Sequence, residues 1–391
     1  MLKERRQKMF KYKCLNPIAK IGLDGFSDQY QKVEETDASE IILVRSAKMH
    51  EMQFDKELVA IARAGAGVNN IPLDRCAEDG IVVFNTPGAN ANGVKELVLF
   101  SLIASVRDII GGIGWVKSEA GNEDIAALAE KEKKKFVGNE IFGKTIAVVG
   151  LGAIGVKVAN ACVGLGMKVK GYDAFLSEAA KANLDPQVEI GSSNEDIIKD
   201  ADFITLHIPA LDSTKGMVNK DFIAQMKDGV VIVNAARDTL VNEADMTEAL
   251  ESGKVRKYVC DFPTKGNNAM PNAIIIPHLG ASTEESEDNC AIMAVAEISD
   301  FMENGNIRNS VNYPAVSLGE KKAARIAICH KAQVEAKAFC DIIKAKAGVK
   351  EMETAARGEF AYSLFELEGE ANDELLAELN AIEGALKIRA L

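Results

Sequence analysis

Ile146-Ala-Val-Val149-Gly150-Leu-Gly152-Ala153-Ile154-Gly155 runs directly into the helix-like stretch Val156–Leu165. An apolar run that ends in spaced glycines and passes at once into a helix is the strand–turn–helix unit of a parallel sheet. The glycines permit a tight turn and let an anionic group approach the helix N-terminus, where free N–H groups and the helix dipole favour phosphate oxygens. The next apolar run, Val169–Tyr172, ends at Asp173, whose carboxylate can accept hydrogen bonds from both hydroxyls of an adenosine ribose. Strand, glycine turn, helix, strand and acid together define a dinucleotide site. A carboxylate at this position repels a 2′-phosphate, and Ala174 and Phe175 bring no arginine to offset it, so NAD is expected and NADP is not.

Outward from this unit, the runs Phe203–His207, Val230–Val233, Tyr258–Cys260 and Ile274–Ile276 bring the series to six strands of a doubly wound sheet. Ahead of it, from Asn16 to Arg107, the runs Glu40–Val44, Leu58–Ala62 and Ile81–Phe84 alternate with helix-like Asn69–Glu78 and Gly93–Ser105, which predicts a second α/β lobe. Ser118–Lys135, with Lys131 and Lys133–Lys135, lacks strand patterning and reads as a surface helix or loop. Tyr313–Lys322 reads as a linker. Beyond it Arg325–His330, Val334–Lys346, Val349–Ala356, Phe360–Leu367, Asp373–Ile382 and Ala385–Ala390 follow a ferredoxin-like βαββαβ pattern.

A chain of 391 residues exceeds one ordinary core, and 47% apolar with 27% charged residues is a globular composition. No apolar run reaches the ~20 residues of a membrane helix, so no membrane partner is expected. The basic start, Met1–Lys13, lacks the apolar stretch of a secretory signal, and a cytoplasmic location is expected. Seven cysteines stand without CxxC pairs or metal spacing and read as buried thiols; no metal is expected. A net charge of −12 argues against a nucleic-acid partner. An anionic substrate must then find its positive charge in a local site.

Of the four histidines, His278 lies just after a strand, in Ile276-Pro-His278-Leu-Gly280, ahead of a helix whose start carries the capping-box pair Ser282 and Glu285. Arg237 stands comparably after Val230–Val233, in Asn234-Ala235-Ala-Arg237. Ligands of open α/β sheets bind at the carboxyl ends of strands. Transfer of a hydride between a hydroxy acid and a nicotinamide needs a proton acceptor and a cation for the carboxylate, roles that His278 and Arg237 suit.

The blocks Gly150–Gly155, Thr205-Leu-His207-Ile-Pro209, Asn234–Asp238 and Ile276–Thr283 resemble, in order, the signatures of the D-isomer-specific 2-hydroxyacid dehydrogenases, over roughly Ser39 to Asn312. The resemblance implies a flavodoxin-like catalytic lobe of residues 1–99 with 283–312, a Rossmann nucleotide lobe of 100–282, and a homodimer or homotetramer. It also implies substrate contacts at Arg45, Ser46, Ala66, Gly67 and Asn90. Ala235, Asp261 (holding the nicotinamide amide), Gly280, His207 and Pro209 fall at cofactor positions, and His207 is not expected to be catalytic. Family members carry a glutamate that orients the histidine; here Lys265 stands in its place. Lys265 could contact the substrate's anionic group or be solvated, and another acid such as Glu287 could support His278. Residues 313–391 resemble an ACT domain, an attachment that narrows the expected substrate to 3-phosphoglycerate, with Lys133 of a neighbouring subunit a candidate for its phosphate. The asparagines of serine-regulated members have no counterparts at Ala332 and Lys350. Other hydroxy acids, or an NAD-sensing binding protein on the same fold, remain the alternatives.

Overall fold

A computed structural model describes residues 9–391; the basic segment 1–8, part of the stretch read as no secretory signal, lies outside the described residues. The chain divides into two compact units, one of residues up to Asn90 together with Glu284–Leu391, the other Ala91–Thr283.

The first unit opens with a parallel sheet of β1 (Phe10–Cys14), β2 (Tyr30–Lys32), β3 (Ile41–Val44), β4 (Ala60–Arg63) and β5 (Val82–Asn85), in the order β2-β1-β3-β4-β5. All four side chains of β3 are buried, as expected of a parallel strand covered on both faces. The α/β series therefore starts before Asn16: β1 alternates buried Phe10 and Tyr12 with lysines, and its Lys13 is drawn inside by Asp55 and the carbonyls of Glu35 and Asp37. The helix Glu284–Asn304 returns to cover the sheet, with Phe301 edge-on to Phe84 at 5.4 Å. This helix begins at Glu284 and not in a capping box at Ser282, because the Ser282 hydroxyl turns back to the His278 carbonyl at 3.4 Å.

The second unit carries β6 (Thr145–Val149), β7 (Lys168–Tyr172), β8 (Glu189–Ile190), β9 (Phe203–Leu206), β10 (Val230–Asn234), β11 (Val255–Cys260) and β12 (Ala273–Ile275). The strands pair in parallel in the order β12-β11-β10-β9-β6-β7-β8. Seven strands form the sheet where six apolar runs are legible; β8 has two residues, both exposed, and no apolar signature. The basic stretch forms a helix, Ile125–Glu132, and a 3-10 turn, Lys133–Phe136, neither with a buried residue.

The first unit is completed by the antiparallel sheet β14-β15-β13-β16, from β13 (Arg325–Lys331), β14 (Val349–Arg357), β15 (Phe360–Leu367) and β16 (Ala385–Ala390), with the helices Ala336–Lys346 and Asp373–Asn380. Cys329, Tyr362 and Leu364 share one apolar core with Ile41, Leu43 and Ile298 of the N-terminal lobe. The linker is part of this packing: Tyr313 is fully buried and donates to the Ala77 carbonyl at 2.7 Å. Arg325, 1% exposed, pairs with Glu366 at 2.9 Å and donates to the carbonyls of Asn304, Leu318, Gly319 and Glu320, tying the linker to the terminal sheet. Among the described residues no single helix is long and apolar enough to cross a membrane. Six of the seven cysteines are buried, and all are free thiols.

Candidate active site

The glycine turn follows β6 directly. Gly150 has φ of 94°, and a Cβ there would lie 2.6 Å from the His207 carbonyl oxygen; a Cβ on Gly155 would lie 1.9 Å from the Gly150 oxygen. Both positions therefore admit only glycine. Gly152, in contrast, caps the helix Ala153–Gly164 with open space where a side chain would project, and Ala153 beside it is exposed, while Ile154 packs inward. The Asp173 carboxylate is fixed by the Leu151 N–H and the Phe175 N–H, each at 2.8 Å, which places it beside the turn. His207 holds Thr205 Oγ1 at 2.9 Å through Nε2, and its Nδ1 is buried without a protein partner. Burial depresses this imidazole to about 3, so it is neutral across the physiological range. Pro209 is exposed and its carbonyl accepts from Thr214. The glycine cradle, the open helix N-terminus and the orphaned His207 nitrogen fit a bound dinucleotide.

Three successive strands of the same sheet, β10, β11 and β12, then deliver Arg237, Asp261 with Phe262, and His278 beyond their carboxyl ends. Asn234, buried at the end of β10, accepts from the N–H groups of Ala236 and Arg237 and donates to the Arg237 carbonyl, fixing the loop through Ala235 that presents the guanidinium. His278 adopts φ of 57°, a left-handed conformation uncommon for a residue with a Cβ. Asp261 holds it there: Oδ1 accepts from Leu279 N–H and Oδ2 from Gly280 N–H, both at 2.8 Å. Burial pushes the Asp261 carboxyl up, opposed by these two bonds and by His278. The Phe262 ring lies 4.6 Å from the His278 ring and 5.3 Å from the Arg237 guanidinium carbon.

Lys265 projects into solvent from the loop after Phe262, a loop braced by Asn267 and by the hydroxyl of Thr264, which donates to Glu243. Glu287, named above as a possible support for His278, is instead ion-paired to Arg45 at 2.6 Å. Its carboxylate already has a cation within its own unit.

In the first unit Arg45 and Ser46 follow β3, and the single oxygen Asn16 Oδ1 accepts the N–H groups of Arg45, Ser46 and Ala47 at 2.9, 2.9 and 3.0 Å. Beside them Arg63 Nε donates to the Arg45 carbonyl at 3.0 Å. The turn Gly65-Ala66-Gly67 is pinned by Thr86 Oγ1 on the Gly65 N–H and by Asn85 on the Ala66 carbonyl, and Asn90 sits half-buried in the following turn. Lys133 is exposed and paired with Glu130. Sequence reasoning passed over Arg63, Asn16, Asn234, Phe262 and Glu243. A polar residue closing an otherwise apolar strand was the available signal for Asn234; the others carry no local one.

Residues 99–280 match the profile of the D-isomer specific 2-hydroxyacid dehydrogenase, NAD binding domain. The chain is 36% identical over 271 residues to the hydroxypyruvate reductase of Thermotoga maritima, covering 66% of this chain and 83% of that one. It is 32% identical over 322 residues to the D-3-phosphoglycerate dehydrogenase of Methanocaldococcus jannaschii, covering 79% of this chain and 59% of the relative. The NAD+-bound 3-phosphoglycerate dehydrogenase of Entamoeba histolytica superposes with a TM-score of 0.59 at 26% identity, over 78% of this chain and 99% of that one. The chain belongs to the D-isomer-specific 2-hydroxyacid dehydrogenase family. NAD is the cofactor of the domain that its residues 99–280 form. The chain spans 59%, 54% and 53% of the length of three phosphoglycerate dehydrogenases that it matches.

Proposed function

We propose that the protein is an NAD-dependent dehydrogenase that oxidises 3-phospho-D-glycerate to 3-phosphohydroxypyruvate, the entry reaction of L-serine synthesis. The observation that carries the dehydrogenase reading is the delivery of Arg237 and His278 from the ends of β10 and β12, on either side of β11, onto one aromatic ring, in the domain that also holds the glycine turn and Asp173. The substrate assignment draws on the phosphoglycerate dehydrogenases among the relatives and on the terminal βαββαβ module.

In this reading Gly150, Gly152, Ala153, Ile154 and Gly155 receive the pyrophosphate, Asp173 the adenosine ribose, and His207, Pro209, Ala235 and Gly280 line the cofactor. Bound NAD supplies the hydride acceptor. His278 takes the hydroxyl proton as the C2–H bond breaks and its electron pair departs as hydride, leaving a carbonyl at C2. Arg237 donates to the substrate carboxylate and to the reacting oxygen, where negative charge develops. The Ala66–Gly67 backbone, Ser46 and Asn90 complete the substrate contacts. Arg45 takes the phosphate in exchange for its Glu287 partner, with Lys265 or Lys133 as further cations; Lys133 would likewise exchange Glu130 for the ligand. A homo-oligomer is supported by exposed apolar side chains on the second unit's helices Ala91–Val106 and Ile109–Ser118, among them Phe100, Ile103, Ile110 and Ile113.

A second reading, a reductase or dehydrogenase of an unphosphorylated hydroxy acid such as glycerate, lactate or 2-hydroxyglutarate, is favoured by the 36% identity to a hydroxypyruvate reductase. Steady-state NAD reduction with 3-phosphoglycerate, D-glycerate, D-lactate and D-2-hydroxyglutarate separates the two. A kcat/KM highest for phosphoglycerate supports the first reading, and one highest for an unphosphorylated acid overturns it.

A further inference from the structure

Lys265 cannot accept a hydrogen bond from His278, and among the described residues no ion pair joins His278 to a carboxylate. The His278 ring packs instead against the phenyl ring of Phe262, with centroids 4.6 Å apart and planes inclined by 48°. The same phenyl ring has the Arg237 guanidinium carbon 5.3 Å from its centroid. The ring therefore touches both the base and the cation of the reaction proposed above.

Phe262 is itself tightly placed. Its carbonyl accepts Asn267 Nδ2 at 2.8 Å, and Asn267, 2% exposed, is locked to Thr264 by a reciprocal pair of bonds. Thr264 in turn donates to Glu243, the first residue of the helix that follows the Arg237 segment. A Cβ on Gly266 would lie 1.9 Å from Glu243 Oε2, so this loop closes against the carboxylate. The bracing runs from the Arg237 segment through Glu243 and Thr264 to the loop that carries Phe262. The loop that carries the ring is thereby tied to the helix that follows the Arg237 segment.

We propose that Phe262 is a positioning residue, holding His278 and Arg237 in register through the one ring that both side chains meet. This rests on the dehydrogenase reading for its consequence in turnover.

The test compares Phe262→Leu, Phe262→Met and Phe262→Tyr with the parent chain. In Phe262→Leu and Phe262→Met, kcat falls at least tenfold while NAD affinity stays unchanged. Phe262→Tyr, which keeps the ring, restores kcat. NMR relaxation of the His278 imidazole and the Arg237 guanidinium reads the same effect without turnover: both side chains become more mobile in Phe262→Leu and not in Phe262→Tyr, even if none of the hydroxy acids proves a substrate. Side chains equally ordered in the parent and Phe262→Leu overturn it, as does a kcat that Phe262→Leu leaves unchanged in an active parent.

Discussion

The Asp261 carboxylate accepts the Gly280 N–H at 2.8 Å through Oδ2 and, through Oδ1, the Leu279 N–H at the same distance. A buried acid from the end of β11 thus sets the backbone that follows His278, whose φ of 57° requires such support. Asp261→Asn replaces one acceptor with an amide donor facing an N–H. The expected cost is about 1–3 kcal/mol for the unsatisfied buried group. Turnover should fall at least tenfold and the melting temperature should drop. Parent-like kinetics and melting in this variant would show that the loop holds itself.

Asp173 meets the Leu151 and Phe175 N–H groups at the open end of the glycine turn. Its negative charge is the proposed barrier to a 2′-phosphate. Asp173→Ala should narrow the NAD-over-NADP ratio of kcat/KM by at least tenfold. If the ratio stays where it was, the ribose is held elsewhere.

L-Serine at millimolar concentration should leave turnover unchanged. Lys350, at the place of an expected effector asparagine, is engaged with Glu366 at 3.1 Å, and Ala332 has no polar side chain to offer. A saturable serine inhibition curve is the contrary result.

Glu297, 8% exposed on the long helix Glu284–Asn304, keeps Oε1 on Asn309 and has Oε2 buried without a partner. Burial raises its carboxyl from 4.5 to about 7. The folded form then holds a proton that the unfolded form releases, so its stabilising effect is complete below about 4.5 and is lost as pH rises to about 7. Glu297→Gln, neutral at every pH, should gain melting temperature relative to the parent at pH above 7 and gain least at the acid end. An offset between variant and parent that is flat with pH would refute the buried ionisation.

The strand cores were legible because parallel strands buried on both faces leave uninterrupted apolar runs, as in Val230–Val233 and Ile41–Val44. β1 was not, since Lys11 and Lys13 break its pattern and the burial of Lys13 depends on Asp55, 42 positions away. The same division holds in the site. Arg237 and His278 are marked by their place after strands, whereas the Phe262 ring contacts, the Asp261 bonds and the Glu243–Thr264 brace arise only when separate segments meet. Arg45 could be suspected alone, but its pairing with Glu287 joins opposite ends of a discontinuous unit and has no trace in local sequence.

The central claim is that His278 accepts the substrate proton while Arg237 holds the carboxylate. It is tested most directly by measuring NAD reduction with 3-phosphoglycerate, together with NAD binding, in the parent, His278→Ala and Arg237→Ala. The account predicts turnover in the parent, its loss by at least a thousandfold in both variants on the scale of a removed general base, and parent-like NAD affinity throughout. Retained turnover in either variant, or loss of NAD binding in both, would contradict it.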